Sequence, residues 1–161
     1  MTIARGDRLP QATVFIMGEA GPQPVSTNDY FAGRKVVLFA IPGAFTPTCQ
    51  AQHIPSFAAN ADKLKQKGAD AVVCMAVNDP FVLAAQAEAT GTTDTLDYLS
   101  DGNAEFTKAM GLELDGSGIG LGTRSHRFAM IVDDGVVREI FVEPDPSQMT
   151  VSSADNVLAH M

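Results

Sequence analysis

A chain of 161 residues, 45% apolar and 19% charged, can bury one sizeable core, and no stretch of it reads as a linker between two. Its formal net charge of -8, with no basic cluster, excludes a nucleic-acid partner, which needs grouped Lys and Arg to displace counterions. The first ten residues lack the apolar stretch of a secretory signal and every apolar run is too short to span a bilayer, so the expectation is a single cytoplasmic domain, residues 1–161, with no membrane partner.

Taken in chain order, Ala12 to Ile16 reads as a first strand, Gly18 to Pro24 as a turn-rich segment, and the residues up to Gly33 as a polar stretch. Val36 to Ile41 is a continuous apolar run stopped by Pro42-Gly43, the pattern of a buried central strand. From Thr48 to about Lys67, the apolar residues Ile54, Phe57, Ala61 and Leu64 recur near helical spacing, and Gly68 closes the segment. Ala71 to Val77 is a second buried strand, which completes a strand-helix-strand unit with parallel strands. Asn78-Asp79-Pro80 opens a helix that runs to Thr90. A short strand over Leu96 to Leu99 and a short helix over Ala104 to Met110 follow. Arg127 to Val132 and Val136 to Val142 read as an antiparallel hairpin around Asp133-Asp134-Gly135, and Ser152 to Ala159 as a final helix. The fold class expected is α/β, a mixed central sheet with helices on both faces.

The chemistry concentrates in Pro42-Gly-Ala-Phe-Thr-Pro-Thr-Cys49, between the central strand and its crossover helix, where open α/β sheets place their ligand sites. Pro47 suits a first helical position, so Thr46 reads as the N-cap and Cys49 falls in the first turn. Unpaired backbone N–H groups and the positive end of the helix dipole favour a nucleophilic thiolate there. The second cysteine, Cys74, lies 25 positions on, inside an apolar strand, which is neither a disulfide framework nor a CxxC redox pair. The three histidines and two cysteines form no close ligand pair, so no metal is expected, and Gly116 to Gly122 does not fit Gly-x-Gly-x-x-Gly, so no nucleotide cofactor is expected either.

Pro42, Thr46 and Cys49 match the Pro-x-x-x-Thr-x-x-Cys signature of peroxiredoxins, and the fuller Pro-Gly-Ala-Phe-Thr-Pro-x-Cys is similar to the peroxiredoxin 5 or type II subfamily. A second block, Gly120-Leu-Gly-Thr-Arg-Ser-His-Arg-Phe128, also resembles that subfamily. The resemblance implies a thioredoxin-like fold and attack of the Cys49 thiolate on hydrogen peroxide or an alkyl hydroperoxide, giving a sulfenic acid. It further implies that Thr46 and the Cys49 backbone N–H bind the peroxide oxygens, that Arg127 stabilises the developing charge and that Pro42 shields the thiol. Of the two arginines in the second block, Arg127 is the one before an aromatic residue. Arg124, three residues earlier on an extended segment, should face the other way as a salt bridge or surface charge. His53, one turn after Cys49, is a candidate pocket residue or a hydrogen-bonded structural histidine.

Cys74 stays open between a buried structural thiol and a resolving cysteine, since its separation from Cys49 resembles the pair of plant type II enzymes. Val151 stands where the animal subfamily has its C-terminal resolving cysteine, so the expected reductant is external, either glutaredoxin with glutathione or thioredoxin. A homodimer is implied by the resemblance. Two other classes compete: a redox-switched binding protein or chaperone with Cys49 as peroxide sensor, and a thiol-disulfide oxidoreductase, which the missing close cysteine pair disfavours.

Overall fold

In the computed structural model all 161 residues are described. The chain runs β1 (Thr13–Gly18), β2 (Gly21–Ser26), α1 (Thr27–Phe31), β3 (Lys35–Ile41), a π-helical turn (Cys49–His53), α2 (Ile54–Gln66), β4 (Ala71–Ala76) and α3 (Pro80–Thr90). It continues through β5 (Asp97–Ser100), α4 (Glu105–Ala109), β6 (Glu113–Asp115), a 3-10 turn (Ser117–Ile119), β7 (Thr123–Ser125), β8 (Phe128–Asp133), β9 (Val136–Val142) and α5 (Ala154–Ala159).

Seven strands form one mixed sheet in the order β2-β1-β5-β4-β3-β8-β9, with β3, β4 and β5 parallel to one another and β8 antiparallel to β3. The apolar runs expected to be central strands are β3 and β4, paired in register from Val36↔Ala71 to Ile41↔Ala76. Successive side chains of β3 enter opposite core layers because strand side chains alternate. Val36, Leu38 and Ala40 pack with Phe31 of α1 and Phe106 of α4 on one face. Val37, Phe39 and Ile41 pack with Ile54, Phe57 and Leu64 of α2, Leu83 of α3 and Val157 of α5 on the other. Helices therefore cover both faces, as expected.

Besides the short helix α1 and the separate β6-β7 sheet, which the sequence reading did not anticipate, two segments differ from the expectation. Gly21–Ser26 is not a loose turn but the edge strand β2, hairpin-paired to β1 with Pro24 opposite Phe15 and Pro22 opposite Met17. Proline has no N–H for a ladder and is confined to edges, so its presence fixes which strand ends the sheet rather than excluding a strand. The second difference is the π-turn ahead of α2. Pro55 lacks the N–H that would bond to the carbonyl four residues back, and its ring would crowd that carbonyl in a regular helix. The chain widens there instead, with the Ile54 N–H donating to the Cys49 carbonyl five residues back.

Candidate active site

The loop after β3 carries the expected residues into the core layer beneath α2. Its geometry is fixed by side chains from beyond β4: the Asn78 Oδ1 accepts from the Ala44 N–H at 2.9 Å, and the Gln86 Oε1 accepts from the Phe45 N–H at 2.6 Å. Gln86 itself is buried, and its amide N–H donates to the Gln50 Oε1 at 2.8 Å, so one side chain ties α3 to both sides of the loop. Phe45 adopts φ +65°, a left-handed conformation costly for a residue with a Cβ, and its ring remains 51% exposed. Helical backbone begins at Pro47, and the Gln50 N–H donates to the Thr46 carbonyl at 3.0 Å, which puts Thr46 at the boundary expected for it.

The Thr46 hydroxyl does not cap the helix. It lies 2.8 Å from the Cys49 Sγ and 2.8 Å from the Gly43 carbonyl, and its single proton can serve one acceptor fully at a time. Arg127 approaches the sulfur from the other side. It precedes β8 and is buried, and its Nη2 donates to the Cys49 Sγ at 3.0 Å, its Nη1 to the His53 Nδ1 at 2.9 Å and its Nε to the Pro146 carbonyl at 3.0 Å. Three of five guanidinium N–H groups are thereby used, and two remain for an oxygen ligand. The Cys49 backbone N–H makes no intramolecular hydrogen bond.

His53 is enclosed between Phe39 and Phe57, with ring centroids 5.0 Å and 5.4 Å away. Its Nε2 lies 3.0 Å from the Ser152 carbonyl, which can only accept, while Arg127 can only donate, so the tautomer is fixed as Nε2–H with a lone pair on Nδ1. Burial, and then the Arg127 charge, push its pKa from 6.5 down to about 3, against smaller opposing effects of the Ser152 carbonyl and Glu143. Because the folded value lies below the unfolded one, the unfolded chain binds the extra proton between the two. The stability is thus complete above about pH 6.5 and is lost as pH falls towards 3. Urea melts are expected to show this decline already between pH 6.5 and 5, and His53→Gln to flatten it; an equal slope in the variant would contradict the assignment.

Arg124 corrects the sequence expectation. β7 ends at Ser125 and β8 starts at Phe128, so the chain passes from one sheet to another between the two arginines and alternation does not separate them. Arg124 makes no ion pair: its Nε donates to the Leu121 carbonyl at 2.9 Å and its Nη1 to the Pro42 carbonyl at 3.4 Å. A Cβ at Gly43 would meet that Nη1 at 2.6 Å, so any larger residue there would push the Arg124 guanidinium from its present place.

Cys74 lies in β4 beside Phe39 of β3, buried in the same core layer as Cys49, and neither thiol is bridged. Burial, and then the charge of Cys49, raise the Cys74 thiol well above its usual range, with Arg127 opposing, so it stays protonated. Residues the sequence reading passed over are Asn78, Gln86 and Glu143, together with the carbonyls of Pro146 and Ser152. Side-chain contacts to loop backbone leave no spacing signature, and carbonyls leave none at all.

Comparison with known proteins gives the family. The Redoxin family model matches residues 4–158. Peroxiredoxin-2E-2, chloroplastic, of Oryza sativa subsp. japonica is 47% identical over 98% of this chain and 72% of its own length, and Peroxiredoxin-2B of Arabidopsis thaliana is 44% identical over 97% and 96%. This chain is a peroxiredoxin. Peroxiredoxins are thiol peroxidases, and the thioredoxin-like fold of this one superposes on reduced Prx3 of Vibrio vulnificus, in complex with hydrogen peroxide, with a TM-score of 0.93 at 46% identity over 99% of each chain. The sulfur of this peroxiredoxin that meets a hydroxyl and a guanidinium together is that of Cys49.

Proposed function

We propose that this peroxiredoxin reduces hydrogen peroxide and alkyl hydroperoxides through a sulfenic acid on Cys49. The observation that carries the reading is the convergence of Thr46 and Arg127 on the Cys49 Sγ, with N–H groups left over on both Arg127 and the Cys49 backbone. The thiolate attacks one peroxide oxygen, an S–O bond forms, the O–O bond breaks, and the leaving oxygen departs as water or an alcohol once it takes a proton. Donors aimed at the oxygen that gains charge lower the barrier more than they stabilise the ground state. Pro42, buried directly after β3, is assigned in this reading the role the resemblance implies, shielding the sulfur from bulk water. The peroxide held by the Vibrio vulnificus relative supports the same ligand class here.

Recycling uses two thiols: the first condenses with the sulfenic acid to a mixed disulfide and water, and the second releases Cys49 as a thiol. Glutaredoxin with glutathione, or thioredoxin, supplies them in this reading, with Cys74 held back by its burial and its protonated state. A homodimer is supported by the exposed apolar rings of Phe45 and Phe81, at 51% and 64%, on the two segments joined by the Asn78 to Ala44 hydrogen bond. Two unbridged thiols suit a reducing compartment such as the cytoplasm.

Intact-mass analysis after one equivalent of hydrogen peroxide tests the central step. Gain of one oxygen that requires Cys49 and survives Cys74→Ser is expected. Loss of two hydrogens that requires both cysteines would transfer resolution to Cys74, and no rapid change would end the peroxidase reading. Failure of both systems, glutaredoxin with glutathione and thioredoxin, to sustain turnover would remove the proposed recycling.

A further inference from the structure

Arg127 is a buried cation with no carboxylate within ion-pairing distance; the ion pairs of the molecule, Arg5–Glu139 and Arg138–Asp133, lie at its surface. Its aim at Cys49 therefore depends on neutral acceptors, one of which is the His53 Nδ1. The ring of His53 is oriented in turn by the Ser152 carbonyl. Ser152 belongs to neither sheet nor helix, so no ladder fixes that carbonyl. What fixes it is Glu143, the residue after β9, only 2% exposed. Its Oε2 accepts from the Ser152 N–H, the Ser152 hydroxyl and the Thr150 N–H, each at 2.7 Å, and its Oε1 accepts from the Thr150 hydroxyl at 2.6 Å. The Glu143 N–H donates to the Arg127 carbonyl at 2.9 Å, so the same residue is also tied to the backbone it serves. Burial raises the Glu143 carboxyl and these hydrogen bonds outweigh it, leaving the group below the ordinary carboxylate range and ionised at neutral pH. The Pro146 carbonyl, by contrast, sits in a turn held by Asp145 and has its own support.

We propose that Glu143 is a positioning residue for the peroxide reaction: its carboxylate fixes the Ser152 carbonyl, which orients His53, which holds the Arg127 guanidinium against the Cys49 sulfur. Two of the four donors on this carboxylate belong to Ser152, the residue whose carbonyl meets His53, and the other two belong to Thr150 in the same loop. The inference rests on Cys49 as the peroxide-reactive thiol, and the reaction of the wild-type protein checks that part separately. If wild type does not react with peroxide, the functional reading fails; if it reacts and the variants below match it, only the role of Glu143 fails.

The test compares two second-order rate constants of Cys49 in the folded protein, with hydrogen peroxide and with iodoacetamide, a reagent that needs the thiolate but no oxygen-binding guanidinium. Each is read at the high-pH plateau of its profile, where the thiolate is fully formed. Glu143→Ala is expected to slow the peroxide reaction about tenfold to a hundredfold, the scale of a misplacement near 1 Å, while alkylation changes less than about twofold. Glu143→Gln keeps an oxygen for the three donors on Oε2 and presents an amide to a hydroxyl that can turn to accept, so it should restore the rate to within about threefold. In a His53→Ala background, Glu143→Ala should add less than about threefold, because the intermediary is gone. Should Glu143→Ala not fold, Glu143→Asp, shorter by one methylene, is expected to cost at least about threefold with peroxide alone. A peroxide rate unchanged in Glu143→Ala or Glu143→Asp, a parallel fall in both reactions, or full additivity with His53→Ala would each overturn the proposal.

Discussion

Replacing Arg127 with alanine is expected to lower the rate constant for peroxide by about a hundredfold to a thousandfold, the loss seen when one preorganised donor to a developing oxyanion is removed. The side chain touches the sulfur at 3.0 Å and keeps two N–H groups unused, so it is the charge closest to the reacting atoms. Arg127→Lys should recover little of the loss, since one ammonium on a flexible stem cannot span the Cys49 Sγ, the His53 Nδ1 and the Pro146 carbonyl at once. Stability moves in both directions. Three acceptors lose a donor; the buried His53 Nδ1 is left with none, at about 1–3 kcal/mol, while removal of a buried cation returns part of that cost. Competition against a reference peroxidase measures the rate, and urea melts confirm that the variant folds. A rate within tenfold of wild type would mean that the charge stabilisation comes from elsewhere.

The second large effect is expected at Thr46. Thr46→Val keeps the shape of the side chain and removes only the hydroxyl, so it should cost about 1 kcal/mol of stability, the net value of one hydrogen bond. The peroxide rate should fall about a hundredfold nevertheless, because the hydroxyl within 2.8 Å of Sγ is the only side-chain donor beside Arg127 at that atom. Thr46→Ser should return most of the activity, since it restores the hydroxyl without the methyl. Stopped-flow rates on the three proteins, read beside their melting curves, separate the two effects. Equal loss in the Ser and Val variants would point to packing and not to the hydroxyl.

The sheet and the reactive segment were legible because they rest on strong local signals. Val36 to Ile41 and Ala71 to Ala76 are apolar without interruption, and Pro42-Gly43 and Pro47 mark where a strand stops and a helix starts. The edge strand β2 was hidden by its own prolines, which argue for a turn until its place at the end of the sheet is known. Pro55 carried a signal for the π-turn, but the apolar spacing of Ile54, Phe57, Ala61 and Leu64 continues past it undisturbed. Arg124 was placed by strand alternation across a junction between two sheets, where alternation has no force. The network behind Arg127 was out of reach for another reason. His53 meets Ser152 and Glu143 only because the π-turn and the loop between β9 and α5 converge, and no local pattern records a contact between residues 99 apart in the chain.

The Cys49 sulfur has no exposed surface in the folded chain. Such burial acts as a sieve on molecular size. A hydroperoxide spans a few atoms and needs only a brief parting of side chains to reach the sulfur, whereas the thiol of a protein reductant is carried on a body that must itself come to rest against Cys49. In the proposed cycle a protein thiol can meet a sulfur so enclosed only once the segment that carries it, the π-turn at Cys49–His53, moves aside. In that cycle any delay before the turn moves is time in which a second peroxide molecule can reach the oxidised sulfur first.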